Sequence, residues 1–259
     1  MAMGIDFGDP LVRKVFFDVY ERLPRGGPGD RGSVARVLGL VGELPARPRV
    51  LDIGCGPGAQ TLHLAALLPA ARIVAVDNHP PFVARVAERV AAAGLAARVR
   101  AEVGDMAALP FADGSFDLLW SEGAAYMMGV TNALRAWRGL VPPGGRLAFS
   151  EAIWSKPGAP AELEALWAEE YAEMTDAAGN LARLETSGWR SLGWFELPWS
   201  AWWDEFYEPM ERVLAARRAS WAGEPRALET LSALAAEIEM MRRYAGWYNY
   251  GFFAARRDD

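Results

Sequence analysis

The chain has 259 residues, about half of them apolar, and a formal net charge of −6 at pH 7. This length suffices for one large domain with its own core, whereas the acidic balance argues against nucleic acid as a partner, because such binding needs a dense basic face. Cys55 is the only cysteine, which excludes disulfides within the chain and leaves no set of thiolates for a metal site, so no metal is expected.

The beginning of the sequence lacks the features of a targeting segment. No apolar run follows a basic segment there, so a secretory signal is not expected. No stretch approaches the ~18 uninterrupted apolar residues that a membrane-spanning helix needs. We therefore expect a cytoplasmic protein with no membrane partner.

Residues 1–48 are predicted to form a helical N-terminal segment. Apolar residues recur at helical spacing from Pro10 to Arg22, and residues 33–41 can form a second helix. Between them lies PRGGPGD, at residues 24–30, whose prolines and glycines interrupt the helical pattern.

From residue 49 onward, apolar strand-like runs alternate with helical stretches. The strand-like runs are 50–54, 72–77, 98–105, 116–122 and 145–154, and the helical stretches are 59–68, 80–93 and 130–140. Parallel neighbouring strands need a crossover connection, usually a helix. The pattern therefore predicts an α/β fold with a mostly parallel sheet and helices on both faces.

The order of elements changes after residue 154. Helical stretches are expected at 161–175, 180–187, 202–222 and 225–245, with strand-like runs at 191–198 and 246–257. If the last two strands pair, residues 200–245 are a helical insertion that leaves the sheet after its sixth strand. The core would then consist of residues 49–199 and 246–259.

A glycine-rich turn follows the first strand, in the sequence DIGCGPG from Asp52 to Gly58. Glycines let a ligand approach the backbone, and the helix start that follows offers free N–H groups. A dinucleotide-binding turn has the spacing GxGxxG, whereas this turn has GxGxG and an acid before it. An acid at that position suits a ligand with a positive amine.

Acids also end the next two strands. Asp77 lies 25 residues after Asp52, where an open α/β sheet places a carboxylate that binds both ribose hydroxyls. Asp105 and Met106 end the third strand, where the acid can accept from an exocyclic amine and the methionine can pack on a flat ring. Taken singly, each feature is equally well explained as a tight turn or a helix cap.

Taken together and in this order, these motifs resemble those of the class I S-adenosylmethionine (SAM)-dependent methyltransferases across residues 49–152. That resemblance implies a Rossmann-like sheet of seven strands, with the last strand antiparallel beside the sixth. It also implies SAM as the cofactor. The cofactor-binding residues that we expect are Asp52, Gly54, Cys55, Gly56, Gly58, Asp77, Asn78, Asp105, Met106 and Ser121.

The phrase ALPFADGSFDLLW at residues 108–120 is similar to that of the "type 11", or ubiquinone-biosynthesis-like, small-molecule branch. The stretches FFDVYERLPRGGPGD, WSEGAAYMMG and SEAIW resemble a group of bacterial methyltransferases whose substrate the resemblance does not give. In related enzymes N-terminal segments fold over SAM. Residues 24–30 are thus either part of a cofactor lid or a plain connector.

Two carboxylates are candidates for the acceptor site. Glu122 is expected to end the fourth strand and Glu151 the fifth, so both should face the side where ligands bind in such a sheet. They could orient or deprotonate an amine or hydroxyl acceptor, with Tyr126 beside them. Alternatively, Glu122 caps the next helix, Glu151 pairs with an arginine, and Tyr126 belongs to the core.

Aromatic residues are concentrated at the start of the insertion, which should roof the active site. The rings that we expect to contact the acceptor are Trp154, Trp199, Trp202, Trp203 and Tyr207. The alternative is that they attach the insertion to the sheet or to a second subunit in a homodimer. The expected function is SAM-dependent methylation of a small molecule at N or O; C-methylation of a quinone-like or aromatic ring and SAM binding without catalysis are the alternatives.

Overall fold

The computed structural model describes residues 5–259, so the first four residues of the predicted N-terminal segment lie outside it. The helices are α1 Pro10–Tyr20, α2 Arg31–Val41, α3 Ala59–Leu67, α4 Pro80–Ala92, α5 Val130–Arg138, α6 Ala161–Glu170, α7 Ala177–Thr186, α8 Ser200–Trp202, α9 Glu208–Ser220 and α10 Pro225–Arg243. The strands are β1 Arg49–Ile53, β2 Arg72–Asp77, β3 Val99–Val103, β4 Leu118–Glu122, β5 Arg146–Trp154, β6 Thr175–Asp176, β7 Trp189–Glu196 and β8 Tyr248–Arg257.

The strands form one sheet in the order β3-β2-β1-β4-β5-β8-β7, with β6 beside the end of β5. Strand β8 is antiparallel to both β5 and β7, and the other pairings are parallel. The predicted α/β Rossmann-like fold, with its antiparallel last strand beside the sixth of the predicted strands, is confirmed.

Helices cover both faces of the sheet, which is why the central strands read as continuous apolar runs. On β1, Leu51 and Ile53 pack into a cluster with α5 and α7. Val50 faces the opposite cluster, which includes residues of α1 to α4, α6, α9 and α10. The N-terminal helices and the insertion therefore lie on the same face of the sheet.

One helix predicted in the second half was too long. The helix expected over 161–175 ends at Glu170, because the chain turns extended at Tyr171 and then forms the short strand β6. Asp176 in that strand caps α7 by accepting from the N–H of Gly179 at 2.8 Å. The sheet thus has eight strands rather than seven.

The insertion leaves the sheet after β7 and returns to it at β8. The helix expected over 202–222 is divided into α8, a π-helical turn at Trp203–Tyr207 and α9. Both α9 and α10 contact α1, and Asp18 of α1 accepts from Arg217 Nε at 2.6 Å and from Trp221 Nε1 at 2.9 Å. The insertion and the N-terminal helix therefore form one layer. Within residues 5–259, no helix is long and apolar enough to span a membrane.

Candidate functional site

The glycine-rich turn joins β1 to α3 with three glycines at positive φ. Gly54, Gly56 and Gly58 have φ of 72°, 50° and 89°, a region that other residues rarely adopt. A Cβ on Gly58 would lie 2.6 Å from Val86 Cγ2 of α4. The turn therefore needs glycine at position 58 both for its conformation and for the close approach of α4.

Asp77, at the end of β2, holds the glycine-rich turn in place. Its Oδ2 accepts from the N–H of Gly56 and its Oδ1 accepts from the N–H of His79, both at 2.9 Å. Burial raises the pKa of this carboxyl above its ordinary value, while the two backbone hydrogen bonds oppose the rise. Each oxygen keeps a lone pair that can accept a hydrogen bond from a ligand.

A cavity of about 570 Å³ lies at the carboxyl ends of β1, β2 and β4, within the range of small-molecule sites. The predicted residues that line it are Gly54, Cys55, Gly56, Asp77, Asn78, Met106, Glu122 and Tyr126. Sequence reasoning missed the rings of Phe16, Phe17 and Tyr20 of α1 on its aromatic side, whereas His79, which also lines the cavity, was expected either to border the adenine pocket or to cap the next helix. The His79 ring stacks on Phe17 at 3.8 Å between centroids and bonds Glu21 Oε1 at 2.7 Å.

Four predicted cofactor residues do not line this cavity: Asp52, Gly58, Asp105 and Ser121. Asp52 is fully buried, and its Oδ2 accepts from Thr61 Oγ1 at 2.5 Å. Burial raises its pKa to about 7, opposed by the Thr61 hydrogen bond. The exposed Asp105 accepts from the N–H of Ala107 at 2.9 Å. Direct cofactor contact by these four residues stays a prediction.

Arg25 is a residue of this site that sequence reasoning missed. Its Nη2 lies 2.5 Å from Glu122 Oε2 and 3.1 Å from the carbonyl oxygen of Pro28, and its Nη1 lies 3.4 Å from Glu205 Oε2 in the insertion. The side chains of Arg25 and Glu122 are 2% and 3% exposed. Arg25 thus ties the loop at residues 24–30, the end of β4 and the insertion together.

Glu122 has a partner on each of its oxygens. Besides the ion pair with Arg25, its Oε1 accepts from Trp120 Nε1 at 2.8 Å. Burial raises the pKa of Glu122, and the charge of Arg25 opposes the rise. Through Arg25, Glu122 holds the loop at residues 24–30 against the cavity wall. Its role toward an acceptor stays a prediction.

Glu151 is buried in β5 and has no arginine within ion-pairing distance among the described residues. Its Oε1 accepts from the N–H of Ala152 at 3.0 Å, and its Oε2 has no hydrogen-bond partner within residues 5–259. Burial raises its pKa to about 8, opposed by the N–H groups of Ala152 and Tyr126. Glu151 does not line this cavity.

The raised pKa of Glu151 makes a testable stability prediction. Because the folded state favours the protonated carboxyl, Glu151 stabilises the fold fully below about pH 4.5, its ordinary pKa. This stabilisation is lost as the pH rises through 8, at about 1.4 kcal/mol of unfolding free energy per pH unit. Glu151→Gln stays neutral. By calorimetry, its melting temperature should be close to that of the wild type near pH 5 and higher near pH 9. Asp52 also titrates in this range, but it does so in both proteins and therefore does not affect the comparison. If both proteins lose stability in parallel as the pH rises, a neutral buried Glu151 is contradicted.

A smaller inner cavity adjoins the first one. The two share Gly26, Gly27, Pro28, Gly123 and Tyr126 as wall residues. The rest of the inner wall is formed by Leu166, Trp167, Glu170, Trp202, Phe206, Tyr207, Glu237, Met240, Tyr248 and Tyr250. The two cavities therefore meet beside Tyr126, and the inner one, of about 40 Å³, is far smaller than an ordinary small-molecule site.

Of the rings predicted to contact the acceptor, Trp202 and Tyr207 line the inner cavity and the other three do not. Trp199 is 46% exposed and packs on Trp203 at 5.4 Å between centroids, and Arg242 lies over the Trp203 ring at 4.7 Å. Trp154 borders a surface groove. A substrate contact by these three stays a prediction.

The inner wall also contains residues that the sequence analysis did not single out. Tyr248 and Tyr250 alternate along β8, so they share one face of the strand, and this alternation in WYNYGFF was the available signal. Glu237 lies in the middle of α10, where a charged residue usually faces solvent. Within residues 5–259, no group of three or more His, Cys, Asp or Glu side chains could hold a metal ion.

Comparison with known proteins places residues 50–145 in a family model described as "Methyltransferase domain". Trans-aconitate 2-methyltransferase of Streptomyces avermitilis is 35% identical over 117 residues, which cover 44% of this chain and 43% of that protein. The 27-O-demethylrifamycin SV methyltransferase of Amycolatopsis mediterranei is 33% identical over 129 residues, covering 49% and 46%. The chain thus matches less than half the length of these relatives.

Solved structures match over nearly the whole chain. A SAM-dependent methyltransferase from Geobacter sulfurreducens, in complex with S-adenosyl-L-homocysteine (SAH), has a TM-score of 0.78 at 18% identity and covers 94% of this chain and 98% of that one. A SAM-dependent methyltransferase from Thiobacillus denitrificans, also with SAH, has a TM-score of 0.77 at 20% identity, covering 93% and 98%. At these identities the likeness shows the fold.

Proposed function

Since the chain carries the methyltransferase domain of the class I SAM-dependent family over residues 50–145, we propose that it transfers the methyl group of SAM to a small organic molecule at a nitrogen or oxygen atom. The observation that carries the proposal is the pair of adjoining cavities that share Tyr126 and Gly123. The groups on the outer cavity wall suit a nucleoside, and the inner cavity, of about 40 Å³, is lined by aromatic and acidic side chains. A two-substrate transfer needs neighbouring sites for its two ligands.

The outer cavity fits SAM by the chemistry of its wall. Asp77 offers lone pairs to ribose hydroxyls while its other interactions hold the glycine-rich turn. Gly54 and Gly56 leave the turn open to close approach, and Met106 borders the space where we predict the adenine ring. When bound, SAM supplies an electrophilic methyl group on a sulfonium.

The protein's contribution is chiefly positioning and the exclusion of water. Methyl transfer from a sulfonium is an in-line displacement, and holding the acceptor at the methyl group can supply much of the acceleration. We propose that Tyr126, which lines both cavities, helps to orient the acceptor. We also propose that residues 24–30, held by the Arg25–Glu122 pair, and the insertion form a lid that keeps water out.

The direct test is turnover of SAM to SAH by the purified protein with pooled small metabolites, followed by mass spectrometry of the pool that supports it. We expect SAH formation that depends on the pool and a product heavier by one methyl group. Tight SAM binding without turnover in any pool would contradict the enzyme proposal and favour a SAM-binding protein without catalysis. A new methyl group on a ring carbon would contradict transfer to N or O.

A further inference from the structure

Helix α1 presents a row of three different side chains to the outer cavity. Arg13, Phe16 and Tyr20 all line the cavity, and their spacing of three and four residues places them on one face of the helix. Arg13 is exposed, Phe16 is half-buried and Tyr20 is 4% exposed. The row therefore runs from a charge at the mouth of the cavity, across a ring, to a phenol in its depth.

The neighbouring face of α1 borders the predicted cofactor site instead. There the ring of Phe17 stacks on His79, which follows Asp77 by two residues along the chain. Phe16 faces away from this pair and stacks on Tyr20 at 4.1 Å between centroids. The two faces of α1 thus border two parts of the same cavity, of which one has the predicted ribose-binding acid and the other has the row.

The inner end of the row is a hydrogen-bond donor without an acceptor. Tyr20 Oη has no hydrogen-bond partner within residues 5–259, whereas buried polar groups are nearly always hydrogen-bonded in folded proteins. Burial raises the pKa of Tyr20 well above its ordinary value, so the phenol keeps its proton and can donate it. Its place on a cavity wall points to a ligand atom that accepts this hydrogen bond.

The outer end of the row is a cation without a counter-charge. The Arg13 guanidinium makes no hydrogen bond or ion pair in the part of the chain that the structure describes. The second arginine of the wall, Arg25, already pairs with Glu122, and Asp77 accepts from two backbone N–H groups. An anionic group at the mouth of the cavity would therefore meet a guanidinium that no side chain neutralises.

Apolar side chains surround the mouth between these two ends. Phe7 and Met127 line the cavity although they are 43% and 62% exposed, and exposed apolar surface at a cavity is typical of a ligand site. Phe7 also contacts Phe16 at 4.8 Å between centroids. Arg13 and Tyr20 are about 10 Å apart along the helix axis, at 1.5 Å per residue. A ligand that contacts both therefore crosses an apolar surface.

On the premise of the methyl-transfer function, we propose that the acceptor is a small carboxylic acid with an apolar body. Its carboxylate pairs with Arg13, its body lies on Phe16, and a polar group at its other end accepts from Tyr20 Oη. The inner cavity, of about 40 Å³, has no room for such a body. Arg13 would repel a cationic acceptor, and a neutral one would gain the apolar contacts but not the attraction between charges.

The test compares a carboxylate with its uncharged isostere. Calorimetric titration of the SAH-saturated protein uses 3-(4-hydroxyphenyl)propanoate and its primary amide, which share the ring and the phenolic hydroxyl. We expect the acid to bind about fivefold or more tightly than the amide, as for a partly exposed ion pair. Arg13→Gln should remove this preference by weakening the acid alone.

Lys14→Gln is the matched control for Arg13→Gln. Lys14 is the neighbouring cation on α1, but its Nζ lies over the Trp221 ring at 5.6 Å from the centroid and it does not line the cavity. We expect this variant to bind both probes as the wild type does.

Tyr20→Phe tests the inner end of the row. We expect it to bind both probes about fivefold or more weakly, because each probe loses the hydrogen bond from the phenol. Without ligands its melting temperature should be unchanged or higher, since the hydroxyl that is removed has no partner within residues 5–259. A lower melting temperature with unchanged probe binding would contradict the ligand contact of Tyr20.

Three outcomes would overturn the carboxylate proposal. They are equal binding of the two probes, including no binding of either, an Arg13→Gln variant that keeps the preference, and a loss of SAH affinity in Arg13→Gln, which would place the guanidinium on the cofactor. Titration of SAH into the wild-type protein without probes tests the methyl-transfer premise separately. Absence of SAH binding contradicts the premise, whereas SAH binding without a preference between the probes contradicts this inference alone.

Discussion

Glu122→Ala is expected to lower the free energy of unfolding by about 3–5 kcal/mol, because it leaves the buried guanidinium of Arg25 without its closest carboxylate. Both side chains are almost fully buried, and the Nη2–Oε2 distance is 2.5 Å. Removing one partner from such a pair lowers the stability by more than the intact pair contributes to it, because the remaining charge stays buried away from water. Urea unfolding monitored by tryptophan fluorescence measures the change.

The same variant should also weaken SAH binding, because Arg25 holds Gly26, Gly27 and Pro28 at the wall of the outer cavity. Glu205→Gln is the control. Glu205 is 32% exposed and lies 3.4 Å from Arg25, so its loss should cost about 1 kcal/mol or less. Similar losses of stability in the two variants would contradict a dominant Arg25–Glu122 pair.

Asp77→Asn is expected to lower the affinity for SAH about ten- to a hundredfold. An ionised carboxylate accepts hydrogen bonds that contribute about 1.5–3 kcal/mol each, roughly twice those of a neutral acceptor. The substitution also turns one acceptor into a donor, which opposes the N–H of Gly56 or of His79 and disturbs the glycine-rich turn. Isothermal titration calorimetry with SAH measures the loss.

Asp105→Asn applies the same substitution to another acid that was predicted to bind the cofactor. Asp105 lies two residues beyond the end of β3, but it is exposed and does not line the outer cavity. Its substitution should change the affinity by about twofold or less, as is usual for surface positions. A loss as large as that of Asp77→Asn would place the Asp105 carboxylate on the ligand, as the sequence motif predicts. Unchanged affinity in Asp77→Asn would contradict the ribose-binding role proposed for Asp77.

The parts of the fold and site that sequence reasoning predicted are those with a local signal. The central strands β1, β2, β4 and β5 are mostly apolar, because helices cover both faces of the sheet. The turn from Asp52 to Gly58 is readable because its backbone needs glycine at three positions. Asp77 was predicted from its place at a strand end, and it lines the outer cavity.

Other features depend on contacts between distant residues, which leave no local pattern. Arg25 lies in a loop of glycines and prolines, and its partner Glu122 is 97 residues away. Glu237 reads as a solvent-facing residue of a helix until the insertion folds against β8 and buries it. Conversely, Trp199 and Trp203 were expected to line the site because they are aromatic, whereas the helical turns there direct them to each other and to Arg242.

The place of β8 has a consequence for synthesis of the chain. Strand β7 joins the sheet only through β8, although it precedes β8 by the whole insertion. During translation, β5 and β7 therefore wait with open edges until residues 248–257 have left the ribosome, and open edges invite pairing with other chains. The same ten residues carry Tyr248 and Tyr250 into the inner cavity. Closure of the sheet and completion of the inner cavity are thus a single late event, so a nascent chain has no finished inner cavity before that event.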